Sequence, residues 1–317
     1  MTKQDKQDKH FHIGIDVAKD KLDIHCLETR DNWQIENSPK AINNFARKHE
    51  KMLSQAYVTI DTTGGYEHLC CELLHKKGCT VHQAHSYRVK NFIRSMGQEA
   101  KTDKLDAIML ALYGLERKQN LRVYAPASQN QQLLKSLLTR REELVKMQTQ
   151  EKNRLSGPMA AELKTSFETL LKTLKKEIEK IETRIKKCIK QDDMMKAKEK
   201  VLRDIKGVGE KTAFSLLGLM PELGELDRKQ VAALAGLAPY AKDSGTYSGY
   251  RSIRGGRPAV RRALFMAALS AVRYNEELKK FYQRLRDNGK KPIVAITATA
   301  RKLATIANAR IRDMQLS

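Results

Sequence analysis

Four aspartates stand out by where they fall in the chain. Asp16 follows an apolar, strand-like run in IGIDVAK, and Asp61 closes a second such run in VTIDTTGG. Asp103 and Asp106, three apart in KTDKLDA, share one face of a helix. Two strand-end carboxylates meeting a helix-borne pair form an all-oxygen cage. Phosphodiester cleavage uses such a cage because bound divalent cations activate the attacking oxygen and steady the leaving one. Hard oxygen donors suit Mg2+ or Mn2+. Taken singly, each aspartate reads equally well as a turn residue or a first-turn helix acid. Their order, strand then strand then helix, is what groups them. Asp20 and Asp23, in the same hairpin as Asp16, read as turn and surface residues.

Two further segments carry chemistry. IKGVGEKTA, residues 205–213, has the form of a helix-hairpin-helix. Gly207 and Gly209 permit a tight turn whose backbone N–H groups face a phosphate, with Lys211 beside it. A plain helix–helix turn is the other reading of the same residues. The stretch DSGTYSGYRSIRGGRPAVRRALFM begins at Asp243. From Lys242 to Arg262 its basic residues are Lys242, Arg251, Arg254, Arg257, Arg261 and Arg262, against the single acid Asp243. Glycines keep its backbone open, and Pro258 suits the first turn of a helix. A flexible basic loop entering a basic helix can hold a phosphodiester. Ser244 and Ser248 lie within it, and nearby arginines could neutralise charge if one of them attacked phosphorus. The residues alone leave open whether either is more than a loop serine.

These groups need a scaffold. Residues 11–28 alternate apolar and polar about a turn-like AKD and predict a β-hairpin. A helix is expected over 40–53, strands over 56–61 and 79–85, and helices over 66–77 and 102–118, the last capped by Thr102. That order predicts an α/β domain ending near residue 124. Leu163, Phe167, Leu170, Leu174, Ile178, Ile181, Ile185 and Cys188 then recur in steps of three and four, a coiled-coil stripe. Gly157-Pro158 folds the 125–200 segment into a helical hairpin, either packed within one chain or serving as a dimerising arm. From residue 201 to 317 the chain reads mostly helical around a glycine-rich stretch at 244–257.

Composition narrows the partner. Among 317 residues, 60 Lys and Arg face 37 acids, a formal net charge of +23. Such an excess favours a polyanion, because neutralising phosphates releases condensed counterions. No apolar run reaches the ~18–20 residues of a membrane span. The polar first ten residues lack the apolar region of a signal peptide. Five cysteines without a CxxC pair argue against a zinc ribbon or disulfide framework and fit a reducing cytoplasm. A cytoplasmic protein is therefore expected.

GIDVAKDKLD, DTTGGYE, KTDKLDA, IKGVGEKT and SGTYSGYRSIRGGR occur in one order from about residue 11 to 312. Together they closely resemble the insertion-sequence one-ten family of transposases, with its one-eleven-eleven branch and the Piv-like DNA invertases. The resemblance implies an α/β plus α fold. An N-terminal RNase H-like (RuvC-like) domain with a DEDD acid set spans 11–124 behind a polar tail. A coiled-coil hairpin spans 125–200. A helical transposase domain with the helix-hairpin-helix and a catalytic serine spans 201–317. Asp16, Asp103 and Asp106 match the family's acids, and Ser244 matches its serine, with Ser248 the alternative. The family carries Glu where this chain has Asp61, a side chain one methylene shorter; Glu67 is the nearest replacement, awkwardly placed in the following helix. The resemblance further implies a Mg2+-dependent recombinase acting on element ends and target DNA. It would be guided by a bridge RNA and assembled as a dimer or tetramer. Gly207, Gly209, Lys211, Arg251, Arg254, Arg257, Arg261 and Arg262 are the expected nucleic-acid contacts. Two rivals share these residues: a junction-resolving nuclease without a covalent step, and a non-catalytic nucleic-acid-binding relative.

Overall fold

The computed structural model describes residues 11–62, 64–97, 103–121, 123–157, 160–241, 249 and 251–316, without the side chains of Asp103, Lys104, Asn120 and Ala160. The chain divides into two compact units, residues 1–126 and 127–317.

In the first unit, alternation produces strands β1 (Phe11–Val17) and β2 (Lys21–Cys26), and β3 (Asn32–Glu36) follows. Helices α1 (Pro39–Lys48) and α2 (Glu50–Ser54) lead to β4 (Ala56–Asp61), α3 (Glu67–Lys76), β5 (Thr80–Ala84), α4 (Ser86–Ser95) and α5 (Asp103–Arg117). The strands form one sheet in the order β3-β2-β1-β4-β5. β1 pairs antiparallel with β2 and β2 with β3, whereas β1, β4 and β5 run parallel. This mixed five-stranded sheet is consistent with the expected RNase H-like domain. Two elements escape the sequence reading. β3 is a five-residue edge strand in which only Trp33 and Ile35 pack half-buried against the core between exposed polar positions, an alternation too short to stand out. α4 occupies what reads as a loop.

Successive side chains alternate between sheet faces. Ile13, Ile15 and Val17 join Ile42, Phe45, Leu53, Cys70 and Leu74 in one core. The opposite face receives α5. A Cβ at Gly14 would meet the Ala107 carbonyl oxygen at 2.0 Å and the Ala111 nitrogen at 2.5 Å, so helix backbone rests directly on β1. Farther along, a Cβ at Gly114 would meet Thr59 Oγ1 at 2.1 Å on β4. Two glycines, one in the strand and one in the helix, thus permit an approach closer than side chains allow.

The second unit is helical. α6 (Gln129–Leu155) and α7 (Ala160–Lys190) form the hairpin, followed by α8 (Asp193–Arg203), α9 (Glu210–Leu219), α10 (Arg228–Leu234), α11 (Pro258–Tyr274), α12 (Glu276–Asp287) and α13 (Pro292–Leu316). Between α10 and α11, β6 (Pro239–Tyr240) pairs with β7 (Ser252–Ile253). Leu134, Leu138, Ile185 and Cys188 of the hairpin share one core with Phe214, Leu264, Ala268 and Leu303. The expected apolar stripe on α7 is covered only in part. Leu174, Ile178 and Ile185 are buried, but Leu163 and Leu170 are exposed. The described cysteines are all buried and free of disulfides. Among the described residues, no helix is long and apolar enough to cross a membrane.

Candidate functional site

Asp16 and Asp61 are brought together by strand pairing. The last registered pair between β1 and β4 is Ile15 with Ile60. The next residues are Asp16 and Asp61, side by side at the carboxyl ends of parallel neighbours. Both share the face of Gly14 and Thr59, the face on which α5 lies. The backbone of α5 opens at Asp103, one turn before Ala107 and on the same helical stripe, and Asp106 lies on the edge of that stripe. The side chain of Asp103 falls outside the described residues. Parallel pairing and the Gly14 contact therefore carry the amino end of α5 toward the two strand-end acids.

Asp61 is half-buried and its Oδ1 is already engaged. It accepts from Ser86 Oγ at 2.8 Å and from the Thr62 N–H at 2.8 Å. Ser86 Oγ also lies 2.9 Å from the Thr62 carbonyl oxygen. Burial pushes the Asp61 carboxyl up; the Ser86 and Thr62 hydrogen bonds and the Lys90 charge pull it down, and Glu67 adds to the rise. A partly desolvated carboxylate beside a second acid is poised to accept a countercharge. The donor set, aspartates at strand ends with Oδ2 of Asp61 turned from these bonds, suits a hard divalent cation. Among the described residues, no three acidic, histidine or cysteine side chains are already gathered tightly enough to hold one.

Sequence reasoning missed or misplaced four nearby residues. Asp23, expected as a turn or surface residue, sits within β2 directly opposite Asp16. Its carboxylate accepts from Gln34 at 2.7 Å and pairs with Lys21 at 3.2 Å. Alternation in KLDIHC places it on the Asp16 face once the hairpin register is known. Glu67, awkward in sequence, is 5% exposed. Its Oε2 accepts the Gly65 N–H at 2.9 Å, and it lies close enough to raise Asp61. The tight turn, with Gly64 and Gly65 both at positive φ, folds it back. Ser86 and Lys90 belong to α4, whose buried Val89 and Phe92 were the available signal.

In the second unit, the glycine turn at 207–209 joins α8 to α9. Gly207 has φ +104, and a Cβ there would lie 2.5 Å from the Ala271 Cβ of α11, so its task is close packing. Gly209 faces open space and caps α9 without a side-chain bond. Lys211 Nζ is 3.0 Å from Glu182, which Arg141 also contacts at 2.7 Å.

The arginines of the basic loop divide by task. Arg257 makes two 2.7 Å bonds to Glu222 and one of 2.8 Å to the Leu219 carbonyl. Arg261 donates to the carbonyls of Gly236 at 3.1 Å and Gly255 at 3.2 Å. Arg254 lies 4.8 Å over the Tyr240 ring, and Arg262 pairs with Glu142. The expectation that all five arginines meet phosphates is narrowed accordingly. Arg257 and Arg261 fasten the loop base, while Arg251 is exposed. The β6–β7 pair closes the same base, with Tyr240 opposite Ser252. Ser244 and Ser248, on the segment joining these strands, lie outside the described residues.

A sheet of this order with strand-end acids, joined to a helical unit with a pinned basic loop, is consistent with a DEDD-type transposase. Comparisons agree. A family model for the DEDD transposase domain of the IS110 group matches residues 13–161. Another, for the transposase IS116/IS110/IS902 family, matches residues 199–283. The pilin gene-inverting proteins of Moraxella lacunata and Moraxella bovis are each 30% identical over 317 residues, covering 95% of this chain and 96% of theirs. An IS110 insertion-element protein of Streptomyces coelicolor is 33% identical over 115 residues, 36% of this chain and 28% of that protein. The chain belongs to the IS110 family of transposases and DNA-inverting proteins, and is an enzyme of DNA recombination.

Proposed function

We propose that this chain cleaves, exchanges and rejoins DNA strands through a covalent serine intermediate. The observation that supports this reading is the register that brings Asp16 and Asp61 to the carboxyl ends of parallel neighbours β1 and β4, with the backbone of α5 seated on Gly14. Asp16, Asp61, Asp103 and Asp106 would hold Mg2+ or Mn2+, which when bound supplies charge neutralisation and activation of oxygen at the reacting phosphate. The nucleophile is Ser244. Its Oγ forms a bond to phosphorus, its proton passes to water, and the P–O bond to one strand end breaks. The departing oxygen takes up a proton and leaves as a hydroxyl. Attack by the hydroxyl of an exchanged strand then breaks the serine–phosphorus bond and restores Ser244.

The chain's own residues prepare this step. Ser86 and the Thr62 N–H fix the rotamer of Asp61, and a fixed ligand loses less freedom on binding. Arg257 and Arg261 fasten the base of the loop that carries the serine segment, leaving Arg251 and the Gly209 turn for backbone phosphates. The bridge-RNA guide and the dimeric or tetrameric assembly rest on the family resemblance set out above.

The test combines purified protein, Mg2+, the flanking noncoding RNA, and DNA carrying the element end and target. Denaturing gels should show protein covalently joined to DNA for the wild type, and none for Ser244→Ala or Asp103→Asn. Cleaved DNA without an adduct, unchanged by Ser244→Ala, would overturn the serine assignment and favour a junction-resolving nuclease.

A further inference from the structure

We propose that the exposed face of α4 is a landing surface for one unpaired DNA strand at the acidic site. This rests on the recombinase reading for the identity of the strand. The surface itself stands on independent features of the helix.

α4 begins at the site. Its first residue, Ser86, donates to Asp61, and Lys90, one turn later, is near enough to lower that carboxyl. Val89 and Phe92 are buried and anchor the helix. At 100° per residue, Tyr87, Lys90, Asn91 and Arg94 line up on the opposite side, and all four are exposed. Arg88 flanks the row. The helical rise from Tyr87 to Arg94 is about 10 Å along the axis.

The chemistry of this row fits a nucleic-acid strand. Arg88, Lys90 and Arg94 are cations on a ten-residue helix that carries no acid. None makes an ion pair with another described residue. On α3, by contrast, Lys76 is held by Glu72 at 2.6 Å. Cations outside any close ion pair, beside a nuclease-type site, are complementary to phosphates. Tyr87 is 68% exposed, a ring that gains nothing from the core. Its backbone N–H donates to His85 Nδ1 at 3.2 Å, which fixes the turn that carries it. An aromatic face flanked by cations stacks on a base, and a base presents its face only when it is out of the duplex. The occupant is therefore a single strand rather than a double helix, and it lies where the scissile phosphate must approach Asp61.

The experiment uses the full chain in EDTA, so that binding is read without cleavage. Single-stranded DNA bearing 5-iodouracil is titrated by fluorescence anisotropy and then photocrosslinked. Tyr87→Ala should weaken binding about fivefold or more while Tyr87→Phe stays within about twofold, because stacking needs the ring and not the hydroxyl. Lys90→Ala with Arg94→Ala should lower the salt dependence by about 1.4 logarithmic units per decade, roughly 0.7 for each lost contact. Crosslinked peptides should map to residues 86–95. Unchanged affinity and salt dependence in these variants, or crosslinks confined to other segments, would overturn the proposal. So would loss of binding to single-stranded RNA alone, which would assign the face to a guide. The covalent-adduct assay separates this from the parent reading. DNA binding that depends on α4 without any wild-type cleavage supports the surface and sinks the recombinase. Adduct formation with α4 variants that bind normally does the reverse.

Discussion

Replacing Gly14 with alanine should disable the acidic site by lifting α5 from the sheet. The new Cβ would stand 2.0 Å from the Ala107 carbonyl oxygen, where ordinary contact begins at 3.4 Å, and 2.5 Å from the Ala111 nitrogen. Both obstacles are helix backbone, so no rotamer change relieves them. The helix must retreat by roughly 1 Å, and a displacement of that size at reacting groups costs about 10²-fold in rate. Overpacking of this kind costs about 1–3 kcal/mol, and the backbone contacts place it at the upper end. At ~1.4 kcal/mol per decade, local opening of α5 should rise by roughly 100-fold. Hydrogen–deuterium exchange of peptides from residues 103–117 reads the opening, and adduct formation reads the site. A matched control is built into the same helix. Gly114→Ala meets a side chain, Thr59 Oγ1 at 2.1 Å, a buried hydroxyl with no hydrogen-bond partner among the described residues. Thr59→Ala should therefore recover most of what Gly114→Ala loses, whereas no side-chain change at residues 107 or 111 rescues Gly14→Ala. Wild-type protection and adduct yield in Gly14→Ala would refute the argument that this glycine seats α5.

The second unit gives three further expectations. Arg257→Lys should lower stability by about 2 kcal/mol, since an ammonium cannot reproduce the two-pronged bond to Glu222 together with the Leu219 contact; a melt unchanged from wild type would return Arg257 to the role of a free phosphate contact. Gly207→Ala should destabilise by about 3 kcal/mol through its positive φ and the Ala271 contact, while Gly209→Ala, in open space, should cost no more than about 1 kcal/mol; equal effects in denaturant titrations would contradict this packing asymmetry. Burial alone would raise the Glu182 carboxyl, but hydrogen bonds from Lys211 and Arg141 outweigh it and hold it below the ordinary glutamate range. Its folded pKa is thus the lower one, so its stabilisation is complete above the ordinary value near ~4.3 and is lost as pH falls through the folded value. Thermal melts of Glu182→Gln should lack that acid-side component; an identical pH profile would exclude it.

Much of the site was legible because its signals are local. Alternation in FHIGIDV and the apolar run in AYVTID marked two strands, and both are present, with Asp16 and Asp61 near their carboxyl ends. The helix expected over 102–118 is present as α5 and carries Asp103 and Asp106. The turn at Gly207 and Gly209 was visible as well, although the partner that requires Gly207 to be glycine, Ala271, was not. β3 was hidden because its alternation is short, only Trp33 and Ile35 facing the core. α4 was hidden because its three cations and its tyrosine masked a short apolar stripe.

The sequence by itself determined most of the strands and helices, the positive charge, and which residue types could hold a metal or attack a phosphate. Periodicity and composition suffice for these because they act over one or two turns of chain. The tertiary structure decided which groups meet. Asp23 faces Asp16 only through the β1–β2 register, and Glu67 reaches Asp61 only because a glycine turn folds it back. Arg257 and Arg261 are occupied by partners 35 and 25 residues away, so their charge serves the frame of the loop. An arginine has the same letter whether its fork is closed on a carboxylate or open to solvent, and only packing over such separations sets which it is.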